Sequence, residues 1–209
     1  MSLPTVLAEI DPGWYAADAD EVVDPALIAR ARTSALGERL LGQWLASGPG
    51  AALLAPTPQR DVAGVTARWP RTGLLPFLRD LGVLAMAPVI RAEVGRDAVR
   101  RLKQALGNSY LLALDRTVWD GRVAVDVATA MGGRLQAALS GDGPGHALLY
   151  ALFDRQGRTE LRAWAPDNDR ALGEWVALLH PREELLATVL PPAQVQMLHD
   201  HHLKRGSGA

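Results

Sequence analysis

Apolar residues recur every three to four positions along most of this chain, which is the spacing of one face of an α-helix. One such stripe covers residues 74–85, and another covers residues 125–139. Pro88 follows the first stripe, and the apolar pattern resumes directly after it. Because proline cannot continue the hydrogen-bond ladder of a helix, a kink or a restart is expected there. The pattern predicts a mainly α protein, folded as a compact multi-helix domain.

Local signals at helix ends delimit the other predicted helices. Asp24 followed by Pro25 is a favourable helix start, because the carboxylate accepts a free N–H and proline gives up no hydrogen bond there. Asp97 is a candidate cap for a basic helix, and Gly107 is its expected stop. The remaining predicted helices cover residues 24–47, 96–106, 108–114, 168–179, 181–190 and 192–205.

Residues 146–164 allow two interpretations. Residues 147–153 are apolar, residues 154–157 could form a turn, and residues 160–164 alternate polar and apolar side chains, which is compatible with a small β-hairpin near 147–164. Residues 146–154 could equally form a short buried helix. Periodicity cannot separate these two possibilities in so short an apolar run.

The chain is predicted to form a single helical domain over residues 1–205, followed by a disordered tail at 206–209. Residues 48–72 are rich in proline and glycine and are expected to form a long irregular connector. Residues 1–24 belong to an acidic N-terminal arm, because the first 29 residues contain six acids and no base. Such an arm is either solvated or lies on a basic surface of this chain or of a partner.

Composition narrows the possible functions. The chain has no cysteine, which excludes disulfides, thiolate nucleophiles and cysteine-rich metal sites. Its net charge of −1 gives no indication of nucleic-acid binding. No Lys or Arg precedes Arg30, and the longest uncharged run, residues 40–59, contains three prolines. Neither a secretory signal nor a membrane-spanning helix is therefore expected, and a cytoplasmic location without direct membrane insertion is predicted.

Candidate chemistry is sparse. Three imidazoles and a carboxylate stand together at His199, Asp200, His201 and His202, a set that could bind zinc or serve a hydrolase. His199 and His202 share one helix face, but His201 points elsewhere, and no fourth ligand is identified. No serine lies in a nucleophile-elbow motif, and no glycine-rich segment has the form of a phosphate-binding loop. We expect no catalytic residue, no metal and no cofactor.

Two groups of residues are candidates for partner binding. Arg96, Arg100, Arg101 and Lys103 are expected on the outer face of the helix at 96–106, where they would suit an acidic partner or form an ordinary solvated face. Trp69 lies near Arg71 in the long connector, a composition typical of an interface anchor. The alternative for the tryptophan is a plug over the core.

One stretch of the chain is similar to a known family. Leu81-Gly82-Val83-Leu84, Val89-Ile90-Arg91 and the run from Asp97 to Gly107 resemble the SctK family, accessory proteins of bacterial type III secretion systems. Pro12-Gly13-Trp14-Tyr15 is similar to a Pro-x-x-Tyr element of that family, and the resemblance extends mainly over residues 74–155.

The resemblance implies a non-catalytic adaptor of the cytoplasmic sorting platform. SctK-like proteins link the cytoplasmic domain of the inner-membrane ring protein, which is SctD-like, to the pod protein, which is SctQ-like. The chain would then act at the cytoplasmic face of the inner membrane, and residues 146–154 would be helical. The alternatives are an enzyme of unrecognised class, such as a hydrolase using the C-terminal histidines, and a secretion chaperone.

Overall fold

Helices account for most of the chain in the structure, a computed structural model that describes residues 2–16, 23–55, 62–141 and 144–206. No strand occurs among these residues, so the prediction of a mainly α fold is confirmed. The helices are α1 (Leu3–Glu9), α2 (Pro25–Thr33), α3 (Ala35–Ser47), α4 (Val62–Arg68), α5 (Arg71–Ala85), α6 (Ala87–Ala92), α7 (Arg96–Leu106), α8 (Ser109–Leu114), α9 (Val125–Ser140), α10 (Ala147–Asn168), α11 (Arg170–Leu178) and α12 (Pro192–Gly206), with a 3-10 turn at Pro12–Tyr15.

The sequence predicts one domain over residues 1–205, and the folded chain groups into two compact units. The first contains Met1–Thr72 and Trp164–Glu184, and the second contains Gly73–Ala163 and Leu185–Ala209.

In the first unit, the N-terminal residues are folded, so the prediction of a solvated acidic arm is wrong for residues 2–16. Leu7 and Ile10 are at most 1% exposed. The indole N–H of Trp14 donates to the carbonyl of His180 at 2.9 Å. The apolar side chains of α1 decide this outcome, because burying them outweighs leaving the segment hydrated. Residues 17–22, which hold three of the acids, lie outside the described residues.

The predicted connector at 48–72 is not irregular throughout. It contains the whole of α4, and α5 begins at its end. Ahead of α4, the amides of Ala52 and Leu53 both donate to one carboxylate oxygen of Glu174, at 2.7 and 2.8 Å. A distant side chain therefore fixes the first turn of the connector. Residues 56–61 lie outside the described part of the chain.

In the second unit, the hairpin alternative for residues 147–164 is wrong, because these residues form one helix with those that follow. Gly157 of α10 crosses α5 in close contact with Leu78. Asp154 forms a two-bond ion pair with Arg79 of α5, with N–O distances of 3.0 and 2.8 Å. Residues 154–157 thus lie against α5 and continue the helix, whereas the sequence also allowed them to turn.

The helix predicted at residues 181–190 is also wrong, because residues 181–189 have no regular secondary structure. Within the second unit, residues 185–190, here called the strap, bond through their backbone to buried polar side chains of α10. These tertiary hydrogen bonds replace the hydrogen bonds that a helix would have made.

The last helix, predicted at 192–205, is confirmed as α12. Gly206 belongs to this helix, and the rest of the predicted tail, residues 207–209, lies outside the described residues.

Candidate protein-interaction surface

Helix α7 has one apolar face that packs in the second unit. Leu102, Ala105 and Leu106 are buried on this face. Asp97 was predicted as the cap, but the N-cap residue is Gly95, and Asp97 lies in the first turn, where a carboxylate is favoured by the helix dipole. Gly107 ends the helix with φ of 53°, a conformation that glycine adopts without strain. The predicted stop at Gly107 is therefore confirmed, whereas the predicted cap at Asp97 is wrong.

The loop before α7 presents an apolar side chain to solvent. Val94 is 91% exposed. The carboxylate of Glu93 holds this loop, because Oε1 accepts the N–H of Gly95 at 2.7 Å and Oε2 accepts an N–H of the Gln136 side chain at 2.5 Å. The hydrogen bonds of Glu93 thus hold the loop on either side of Val94, and Val94 is exposed in this loop.

A shallow groove of about 550 Å³ lies along the outer face of α7. It is here called the α7 groove and is lined by Val94, Arg96, Val99, Arg100, Lys103 and Gln104. The two valines are its aliphatic side chains: Val94 is almost fully exposed, and Val99 is half-buried. The three cations follow one another at helical spacing, over about 10 Å of helix. The groove therefore combines an apolar contact with a row of positive charges.

The three basic residues of the groove are exposed to solvent. Arg100 forms an ion pair with Asp97 at 3.2 Å, with both side chains more than two-thirds exposed. An exposed pair of this kind contributes little to stability and is readily exchanged for a partner's carboxylate. The Lys103 ammonium lies 5.7 Å from the ring centroid of Tyr110. The structure thus brings Arg96, Arg100 and Lys103 together, as the sequence predicted.

Arg101 has a different position from the one predicted. Its guanidinium donates to the carbonyl of Leu139 and, at 3.5 Å, to that of Gly141. These carbonyls lie at the C-terminal end of α9, where a cation is favoured by the helix dipole. The prediction that Arg101 faces outward is therefore wrong, because this side chain joins α7 to the end of α9.

Trp69 and Arg71 belong to the first unit. Trp69 is only 2% exposed, and its carbonyl accepts the indole N–H of Trp175 at 3.0 Å. Trp69 is therefore a core residue and not an exposed anchor, which agrees with the alternative of a plug. Arg71 is exposed at the first position of α5.

The C-terminal histidines point to different surroundings. His199 Nδ1 lies 2.9 Å from Asp200 Oδ1, and the hydrogen bond with His199 is the main cause that lowers the pKa of Asp200. His202 Nε2 lies 2.9 Å from the carboxylate of Asp80 in α5, and His201 is exposed. Among the described residues, no group of three possible ligands converges on one point that could hold a metal ion.

The carboxylate of Asp80 also receives the hydroxyl of Ser109 at 2.5 Å. Serine, aspartate and histidine thus meet, but the aspartate lies in the middle. A serine hydrolase requires the hydroxyl to donate to an imidazole, which is in turn oriented by the carboxylate. With the hydroxyl bonded to Asp80 instead, this arrangement differs from the triad of a serine hydrolase, and its hydrogen bonds join α5, α8 and α12.

Sequence reasoning missed Val94 and Gln104 as groove residues. Val94 is an aliphatic residue between Glu93 and Gly95, in a short segment that belongs to neither flanking helix. An isolated apolar residue in a polar loop was the available signal, but single exposed valines are common on protein surfaces. Only the fold places Val94 next to the basic face of α7.

None of the described helices has the length and apolar character needed to cross a lipid bilayer. Comparison of the chain with protein-family models, with curated proteins and with solved structures gave no match.

Proposed function

We propose that this chain is a non-catalytic adaptor that binds an acidic, amphipathic segment of a protein partner in the α7 groove. The observation that carries the proposal is the exposed Val94 beside three solvent-exposed cations at helical spacing. An amphipathic helix with carboxylates one turn apart would match these cations and place an apolar side chain on the two valines. The charges would steer association, and the apolar contact would hold the complex.

A protein partner fits the groove better than a membrane or a nucleic acid does. The groove contains aliphatic side chains and no aromatic residue of the kind that favours a lipid interface. The net charge of the whole chain, −1, also gives no general attraction to polyanions.

We take the kind of assembly in which such an adaptor would act from the resemblance of residues 74–155 to the SctK family. In this proposal the chain links an SctD-like cytoplasmic domain to an SctQ-like pod protein at the cytoplasmic face of the inner membrane. The α7 groove lies within the similar segment and would serve one of the two contacts. No catalytic residue or cofactor takes part.

The direct test is binding of the purified protein to an SctD-like cytoplasmic domain and an SctQ-like protein from the same genome. Isothermal titration calorimetry should show a complex with each. A Val94→Asp variant should lose one of the two contacts and keep the other, because the substitution removes an apolar contact and adds a carboxylate that repels those of the acidic segment. If the wild-type protein binds neither partner while both are folded, the adaptor assignment is wrong. If Val94→Asp binds both normally, the groove is not the contact.

A further inference from the structure

The strap is held on α10 through its main chain. The amide of Leu186 donates to Thr159 Oγ1 at 3.2 Å, and the carbonyl of Ala187 accepts an N–H of the Gln156 side chain at 3.0 Å. The carboxylate of Glu160 accepts the amides of Val189 and Leu190 at 3.0 and 3.1 Å. All of these hydrogen bonds involve backbone atoms of the strap, so α10 binds the strap through its main chain.

The three recognising side chains form one stripe on α10, here called the polar stripe. Gln156, Thr159 and Glu160 occupy positions i, i+3 and i+4 of the helix and therefore share one face. Each is at most 2% exposed. Buried polar groups require hydrogen-bond partners, and the backbone of the strap supplies them. The polar stripe thus binds a main chain that is not in a helix, and its present occupant is a segment of the same chain.

Two features favour exchange of this occupant. The strap sequence, Leu-Leu-Ala-Thr-Val-Leu, is preceded by Pro181 and two acids, a pattern that favours a helix once the segment leaves α10. Glu160 is buried with neutral hydrogen-bond partners, namely Gln156 and the two amides, and burial raises its pKa. Desolvation of this carboxylate therefore offsets part of the free energy gained from its hydrogen bonds with the strap.

We propose that the polar stripe of α10 is a binding site for the main chain of a non-helical peptide segment of a protein partner, and that the strap is its exchangeable internal occupant. Recognition through main-chain atoms makes the site tolerant of side-chain sequence, as in partners that add an extended segment to an existing surface. The strap competes with the partner at the high effective concentration of a tethered segment, so binding is restrained until the strap leaves. This site is separate from the α7 groove and does not depend on the proposed function.

The test uses a variant that releases the strap. Leu186→Pro combined with Val189→Pro removes two of the amides that bond to α10, because proline has no N–H. The probe is a fluorescein-labelled peptide with the sequence of residues 183–191, followed by fluorescence anisotropy. The released variant should bind the probe at least about tenfold more tightly than wild type, because the tethered competitor is gone. Adding Glu160→Ala should abolish this gain.

Thr188→Pro is the matched control, since the amide of Thr188 makes no hydrogen bond to α10 in the described part of the chain. It should bind the probe as weakly as wild type does. Equal probe affinity in wild type and the released variant, or no effect of Glu160→Ala, would overturn the proposal. Helix content measured by circular dichroism shows whether the released variant is folded.

Hydrogen exchange of the wild-type protein tests the same idea without substitutions. If the strap is exchangeable, the amides of Leu186, Val189 and Leu190 should exchange by local opening, at least about tenfold faster than the amides of Phe153 and Leu161 in α10. Exchange of all five amides at one common rate would mean that the strap opens only when the second unit unfolds. That result would exclude the site from the native protein.

Discussion

Gly157 of α10 lies so close to Leu78 of α5 that a Cβ atom on the glycine would be 1.7 Å from the carbonyl oxygen of Leu78. The contact is reciprocal, since a Cβ on Gly82 of α5 would be 1.9 Å from the carbonyl oxygen of Phe153 in α10. The two helices therefore cross with their backbones in contact, and both obstructing atoms are backbone atoms, which cannot move aside alone. This crossing positions the polar stripe of α10 and the core face of α5.

Gly157→Ala should destabilise the protein by about 1–3 kcal/mol, because the methyl group forces the two backbones apart. Gly133→Ala is the matched control: this glycine is exposed in α9, and a Cβ there meets nothing within 4 Å. The same substitution at Gly133 should stabilise the protein by about 0.5–1 kcal/mol, since alanine is the better helix former. Chemical denaturation of both variants tests the difference in sign. Equal effects at the two positions would disprove the close crossing.

Local signals predicted most of the helices, and tertiary bonds account for the errors. The boundaries of α7 and α9 were close to those observed, because apolar periodicity and a glycine stop act within the helix itself. The segment 181–190, which includes the strap, was predicted as a helix because Pro181 and the acids Glu183 and Glu184 favour a helix start. What overrides this preference is the polar stripe, whose residues lie 27 to 31 positions earlier in the chain. No local pattern contains that information.

Replacing Arg101 should affect folding, whereas replacing Arg100 should not. Arg101→Gln removes the cation that bonds to the carbonyls at the end of α9, and we expect a loss of about 1–2 kcal/mol in the free energy of unfolding. Arg100→Gln removes only an exposed ion pair and should change stability by less than about 0.5 kcal/mol. Thermal and chemical denaturation of the two single variants measure both effects. Arg101→Gln as stable as Arg100→Gln would contradict the position assigned to Arg101.

The stability of the protein should depend on pH through Glu160. Burial raises the pKa of Glu160 in the folded state, partly countered by its hydrogen bonds with Gln156 and the amides of Leu190 and Val189. Between the ordinary glutamate pKa and the raised one, the folded state binds more protons than the unfolded state. The resulting contribution to stability is fully present below the unfolded pKa and is lost as the pH rises through the folded pKa.

Glu160→Gln should remove this fall in stability with rising pH, because glutamine does not titrate. Urea denaturation of wild type and variant at a series of pH values from about 4 to 8 measures the slope. Asp167→Asn, which removes an exposed carboxylate from the same helix, should keep the wild-type slope. An unchanged slope in Glu160→Gln would mean that Glu160 is not the titrating group.

The candidate interaction surface was predicted only in part, and the reasons differ from residue to residue. Arg96, Arg100 and Lys103 follow from helical periodicity, because they lie opposite the buried Leu102. Arg101 has the same charge and lies within the same helix, but its role depends on where α9 ends, and the sequence of α7 contains no sign of this. Trp69 has the composition of an interface anchor, yet it is buried in the first unit.

Charge reversal in the α7 groove should slow binding of the partner without unfolding the protein. Arg96→Glu with Lys103→Glu replaces two exposed cations, so stability should change by less than about 1 kcal/mol. The association rate measured by surface plasmon resonance should fall by at least about tenfold at low salt, and the difference from wild type should shrink as salt screens the charges. Reversing two acids of the partner segment to lysine should restore the association rate only for the variant with Arg96→Glu and Lys103→Glu.

Arg30→Glu with Arg39→Glu, which changes the net charge equally in the first unit, is the control and should retain most of the wild-type association rate. If both double variants slow association equally, the effect comes from net charge alone and the groove is not the binding surface.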